Sequence, residues 1–305
     1  MDIISLSNDL RAQLALLVMY AWDMCDKDPN PDSIAVDPRI AQDGWRVVGI
    51  ITGCDDVLAS GPNGIRQQQV RVSGEGDRRR YGYVAQNGTG DYVIAIRGTD
   101  GAEEWFDDCV FVAKQQPGLP GRVESGFSDI YESMRYFPLS DPTNILKLSD
   151  GIKAQVGGSP VTVLGHSLGS SLATYLTYDL ADKACLGTEQ LGALLFASPK
   201  TGDHDFVSAF ANRVSNYLVV NYEHDIVPRV PPFDIMQLDL YRTLPNCLII
   251  TDESGCATIK SDKKCCHHLI CYVALLSPTI YAKSSADWLA DDKNCASCVI
   301  DPPSS

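Results

Sequence analysis

Apolar residues recur at steps of three and four from Leu6 through Leu10, Leu14, Leu17, Ala21 and Met24, which predicts an amphipathic N-terminal helix with one buried stripe. It ends before Pro29 and Pro31. Three β-rich runs follow at 45–51, 81–85 and 92–96, with the Gly-containing stretch 87–91 reading as a hairpin between the last two. Asp141 and Pro142 then predict the N-cap and first position of a helix that Gly157 and Gly158 end. From there the two periods alternate: a strand at 161–164, a helix from Leu168, a strand at 191–196, a helix at 205–214 and a strand at 217–220. Such alternation requires right-handed crossovers and a mostly parallel α/β sheet covered by helices on both faces.

The 305 residues carry 45% hydrophobic and 21% charged side chains, enough for one large domain over 1–305, with helix 1–30 packed on the sheet and a C-terminal tail at 282–305. A formal charge of −14 repels phosphate backbones and anionic headgroups, so nucleic acid is not an expected partner. The basic run Arg78-Arg79-Arg80 is short and sits among Gly, Glu and Asp, where a solvated turn accounts for it. No transmembrane segment is expected: Arg11 and Gln13 interrupt the first apolar run, and the run from Leu269 ends at Pro278. Asp2 and Asp9 without a basic n-region give no secretory signal, which points to a cytoplasmic chain, or to an extracellular one if this is a mature or signal-independent form. Eleven cysteines spread along the chain read as mostly free thiols. Cys295 and Cys298 fit either a disulfide or, with Cys265, Cys266 or His268, a zinc site; without a second spaced pair no metal is expected.

Gly165-His166-Ser167-Leu168-Gly169 matches Gly-x-Ser-x-Gly and falls between a β-branched strand and a helix start. A serine in so sharp a turn needs neighbours without side chains, and the turn aims the helix N-terminus and the Leu168 N–H at an oxyanion beside Ser167. A nucleophilic serine needs a base and a carboxylate, in the order Ser, Asp, His along this fold. Asp225 follows the strand 217–220 and can reach the sheet's carboxyl edge; Asp203 and Asp205 are alternatives that a helix-capping role explains. Of the five histidines, His166 adjoins the nucleophile and His204 and His224 precede the acid, which leaves His267 and His268.

These residues resemble the class 3 lipase family, which includes fungal-type triacylglycerol lipases. The resemblance rests on Ile96-Arg97-Gly98-Thr99, on Glu104-Trp105-Phe106-Asp107-Asp108, on the elbow pentapeptide, on Phe196 through Asp203, and on Asn221 through Pro228. It implies an α/β-hydrolase fold, a triad of Ser167, Asp225 and a C-terminal histidine, oxyanion donors at Thr99 and Leu168, and a lid at 100–108 in which Trp105 and Phe106 meet substrate. The family's His-x-Leu-x-x-Tyr ending aligns with His267, Leu269 and Tyr272 and favours His267, with His268 the alternative because some fungal relatives follow the histidine directly with leucine. Glu124 stands where members usually carry histidine, a departure that puts a charge into the local packing.

The expectation is therefore a serine carboxylic-ester hydrolase, a lipase or esterase working through an acyl-enzyme on acylglycerols or related lipid esters at a lipid–water interface. It needs no cofactor and no obligate protein partner. A catalytically silent lipid- or partner-binding scaffold and an acyltransferase on the same triad are the alternatives.

Overall fold

The computed structural model describes residues 1–54, 78–98, 111–183, 186–187, 189–231, 240–252, 257–291 and 298–301. Ser7 caps the first helix, α1 (Asn8–Lys27), by accepting from the Leu10 N–H, and a short α2 (Pro38–Gln42) leads into the strands. In chain order these are β1 (Trp45–Cys54), β2 (Arg78–Asn87), β3 (Tyr92–Ile96), β4 (Ala113–Lys114), β5 (Val123–Glu124), β6 (Arg135–Pro138), β7 (Leu146–Lys147) and β8 (Val161–His166). They continue with β9 (Leu191–Phe196), β10 (Gly202–Asp203), β11 (Tyr217–Tyr222), β12 (Tyr241–Arg242), β13 (Cys247–Ile250), β14 (Thr258–Ile259) and β15 (Val299–Asp301). The remaining helices are α3 (Ser125–Ser133), α4 (Leu148–Val156), α5 (Leu168–Asp182), α6 (His204–Arg213), α7 (Lys263–His267), α8 (Leu269–Leu276) and α9 (Pro278–Asp291).

Nine strands form one sheet in the order β13-β11-β9-β8-β3-β2-β1-β6-β7. From β3 to β13 every pairing is parallel; from β3 to β7 through β2, β1 and β6 every pairing is antiparallel. The parallel half is the half expected from the alternating pattern; β3, β8, β9 and β11 are buried at every position because helices cover both sides, whereas the edge strand β13 is partly exposed. Leu164, Leu194, Phe196, Val220 and Tyr222 share one core with α1 and α8. Val163, Leu195 and Val219 on the opposite face share the other core with α3 to α6. The period-2 alternation of strand side chains is what divides them. Helix α8 is apolar all round and buried at every residue, as a helix enclosed by the core requires.

Four segments differ from expectation. Arg78-Arg79-Arg80 opens β2 rather than forming a turn, and Arg80 is only 2% exposed. Its guanidinium donates to the carbonyls of Met24 and Ala35. Met24 lies in the last turn of α1, where carbonyls lack helical partners and the helix dipole is negative, so a cation is well placed there. Asp141-Pro142 starts a β-turn instead of a helix: the Asn144 N–H donates to the Asp141 carbonyl at 3.0 Å and the Thr143 hydroxyl to the Asp141 carboxylate at 2.7 Å. Asp-Pro suits the first two positions of such a turn as well as it suits N-cap and N1; α4 begins six residues after Pro142, at Leu148. The stretch 282–305 is not a plain tail, since α9 runs to Asp291 and β15 pairs antiparallel with β14. Cys298 is bonded to Cys265, not to Cys295, which lies outside the described residues.

Glu124 is the fourth. It is the N-cap of α3, its carboxylate accepting from the Phe127 N–H at 2.7 Å while 3% exposed. Burial pushes its carboxyl above the ordinary 4.5, against the lowering effect of its backbone donors. A carboxyl that ionises less readily in the fold stabilises the protein below its unfolded pKa and loses that contribution as pH rises through the raised one. Glu124→Gln keeps an acceptor for the cap and carries no charge. Its stability relative to wild type, measured by urea unfolding, is expected to increase as pH is raised from about 4 to about 7; a difference that does not change with pH contradicts this assignment.

Candidate active site

The strand-to-helix turn between β8 and α5 holds Ser167 at φ 59° and ψ −131°. A Cβ at residue 165 would lie 2.4 Å from the Gly169 carbonyl oxygen, and one at residue 169 would lie 2.5 Å from the carbonyl oxygens of Ile96 and Arg97. Both glycines are therefore required by close backbone approach, and together they fix the turn. The Ser167 N–H donates to the Phe196 carbonyl at 3.0 Å and the Ser170 N–H to the Ser167 carbonyl at 2.9 Å, so the elbow is anchored to β9 and to its own helix. Leu168 is the first residue of α5, where backbone N–H groups have no helical acceptor and the dipole is positive.

Three of the expected side chains meet here. The Ser167 hydroxyl lies 2.8 Å from His267 Nε2, and His267 Nδ1 lies 2.8 Å from Asp225 Oδ2. A carboxylate can only accept, so Nδ1 carries the proton and Nε2 is left to accept from the serine. Relative exposures of 0%, 3% and 1% for Ser167, His267 and Asp225 place the chain of bonds out of bulk water, where such bonds are strong. Asp225 sits just past the carboxyl end of β11, the edge at which parallel sheets present functional groups. Its Oδ1 accepts from the Val227 N–H at 2.9 Å, and its Oδ2 accepts the Tyr272 hydroxyl at 2.7 Å as well as His267.

His267 ends α7, and His268 turns away as the N-cap of α8, its Nδ1 accepting from the Ile270 N–H at 3.3 Å. The alternative acids are also accounted for. Asp203 caps α6 by accepting from the Phe206 N–H at 2.9 Å, and the Asp205 side chain is 80% exposed. Thr99, Trp105, Phe106 and the whole of 100–108 lie outside the described residues.

Two residues joined to this site were not assigned a role by sequence reasoning. Tyr272 served only as the end of a spacing, whose physical content is now visible: it lies one turn into α8, in reach of the acid. Its hydroxyl also accepts from the Tyr222 N–H at 3.0 Å and so fixes the end of β11. His166, which adjoins Ser167, packs its ring against His267 with centroids 4.8 Å apart.

Residues 93–235 match the family described as Lipase (class 3). Phospholipase A1-II 3 of Oryza sativa subsp. japonica is 29% identical over 175 residues, covering 50% of this chain and 41% of that protein. Phospholipase A1-II 4 of the same subspecies is 32% identical over 171 residues, 49% of this chain and 42% of its own length. This chain thus spans about two-fifths of the length of these relatives. Among solved structures, the Rhizomucor miehei triacylglyceride lipase superposes with a TM-score of 0.57 at 21% identity, over 81% of each chain. The Rhizomucor miehei lipase–propeptide complex does so with a TM-score of 0.56 at 20% identity, over 88% of this chain and 76% of that one. At that identity the likeness is one of fold, the α/β-hydrolase fold. His267 lies beyond the matched stretch, whereas most of β3, the elbow and Asp225 lie within it, and over residues 93–235 this chain is similar to the class 3 lipases.

Proposed function

We propose that this protein is a serine hydrolase of carboxylic esters, with acyl lipids as its substrate class. The observation that carries the proposal is the continuous bond chain from Ser167 through His267 to Asp225, each link 2.8 Å. In this mechanism His267 takes the serine proton as Ser167 Oγ attacks the ester carbonyl, Asp225 holds the resulting imidazolium, and the proton passes to the departing alcohol. Water then resolves the acyl-enzyme by the same relay in reverse. The Leu168 N–H, at the positive end of α5, stabilises the tetrahedral oxyanion, with the Thr99 N–H as its partner donor. The names of the relatives, phospholipase A1 and triacylglyceride lipase, support lipid esters. The charge of −14 favours neutral or zwitterionic lipid over anionic lipid. No described helix is long and apolar enough to cross a membrane.

An intact relay supports turnover over a silent scaffold, and product analysis with added alcohol separates hydrolysis from acyl transfer. The direct test is hydrolysis of p-nitrophenyl esters of graded chain length beside emulsified triacylglycerol and phospholipid. Ser167→Ala is expected to lower every such rate by at least about a thousandfold without changing the unfolding midpoint; residual activity above about a tenth of wild type excludes Ser167 as nucleophile.

The two histidines separate cleanly. His267→Ala is expected to match Ser167→Ala in its loss, whereas His268→Ala keeps activity and loses about 1 kcal/mol of stability with its helix cap. The reverse pattern transfers the base to His268. Tyr272→Phe removes one of the hydrogen bonds to Asp225 and is expected to lower kcat about tenfold; an unchanged kcat shows that the other two donors suffice.

A further inference from the structure

His166 is buried, 4% exposed, and ends β8 immediately before the nucleophile. Its Nε2 lies 2.9 Å from the backbone carbonyl oxygen of His267. A carbonyl can only accept, so Nε2 carries the hydrogen and donates; Nδ1 is then a bare lone pair, and it is buried with no hydrogen-bond partner among the described residues. The acceptor is the last carbonyl of α7, a five-residue helix whose C-terminal carbonyls have no partner within it. The two imidazole rings also pack against each other, tilted by 31° with 4.8 Å between centroids, and the Tyr272 ring lies near-perpendicular to His166 at 6.2 Å.

We propose that His166 is a positioning residue for the catalytic base: its Nε2–H clamps the His267 main chain while its ring supports the His267 imidazole. The inference rests on the hydrolase function proposed above. Asp225 and Ser167 each fix one nitrogen of the base in the plane of its ring, and the clamp adds a third bond at its main-chain carbonyl. Because His166 is covalently joined to Ser167, it ties the backbone of the base to the peptide that carries the nucleophile, and the two reacting atoms move together. The geometry demands a neutral His166, since a second proton on Nδ1 would be an unpaired buried cation beside the imidazolium that forms during turnover. Burial, and then the neighbouring His267, hold its pKa well below the ordinary 6.5.

The bond can be removed and restored by reach. Gln carries an amide donor at about the distance of imidazole Nε2, whereas Asn carries one only as far as Nδ1. With a short soluble p-nitrophenyl ester, His166→Leu is expected to lower kcat about 10- to 100-fold with KM within about twofold, because the defect lies in alignment and not in binding. His166→Gln is expected to recover kcat to within about fivefold of wild type, and His166→Asn to stay with His166→Leu. Full kcat in a folded His166→Leu protein, or equal rates for the Gln and Asn variants, overturns the proposal. Should His166→Leu fail to fold, the Gln and Asn pair still decides it. ¹⁵N NMR of histidine-labelled wild type reads the clamp without any activity: the expected spectrum gives His166 a protonated Nε2 and a bare Nδ1, and the opposite tautomer overturns the clamp. A wild type with that tautomer but no hydrolysis instead sinks the hydrolase function and leaves the bond standing.

Discussion

Ser167 occupies a left-handed backbone conformation, φ 59°, that residues with a side chain adopt only when their surroundings leave no alternative. Here the surroundings are backbone. Gly165 lies against the carbonyl of Gly169, and Gly169 against the carbonyls at the end of β3. Strand β8, helix α5 and strand β3 therefore meet at separations that exclude even one methyl group. The remainder of the parallel half serves this contact: β9 accepts the Ser167 N–H, and α5 is held on the sheet by Leu172, Tyr175 and Leu176 in the core. A residue strained in this way keeps its hydroxyl clear of its own helix, at the edge where the other strands end.

His267 and Asp225 reach that edge by separate routes. Asp225 is carried by the loop after β11, whereas His267 ends a five-residue helix that has little stability of its own. What fixes α7 is its neighbours. Its Cys265 is bonded to Cys298, Asp262 caps it by accepting from the Lys264 N–H, and α8, packed against α1, follows at its C-terminal end. The same α8 supplies Tyr272 to Asp225, so one buried helix sets both the height of Asp225 and the end of the segment that carries His267. Organisation of the triad is thus a property of core packing more than of the loops that bear it.

Much of this was legible in the chain, for identifiable reasons. The strands at 161–164, 191–196 and 217–220 announced themselves because a strand covered on both faces must be apolar throughout. The elbow showed because close backbone approach leaves a mark, glycine, in the sequence. Favouring His267 over His268 rested on the resemblance to the family's His-x-Leu-x-x-Tyr ending; in the structure His267 lies beside Ser167 and Asp225, and Tyr272 bonds the same carboxylate. Other features leave no local mark. Arg80 donates to carbonyls at residues 24 and 35, brought to it only by tertiary packing. Asp141-Pro142 serves a turn and a helix start equally well, and only the following residues decide. The Cys265–Cys298 bond depends on a Cα separation of 5.0 Å that residues 33 apart in sequence do not reveal. His166 is visible as a letter in the elbow, but its partner, a backbone carbonyl, has no letter.

The central claim is that Ser167, activated through His267 by Asp225, is a nucleophile toward an acyl carbonyl. It is tested most directly by treating the folded protein with a fluorophosphonate, whose phosphorus takes the place of the tetrahedral centre, and locating the adduct by peptide mass spectrometry. The result predicted is one adduct per chain, on Ser167, formed at a rate that collapses when His267 is replaced. An unmodified Ser167, or an adduct on another residue formed at a rate indifferent to His267, contradicts it.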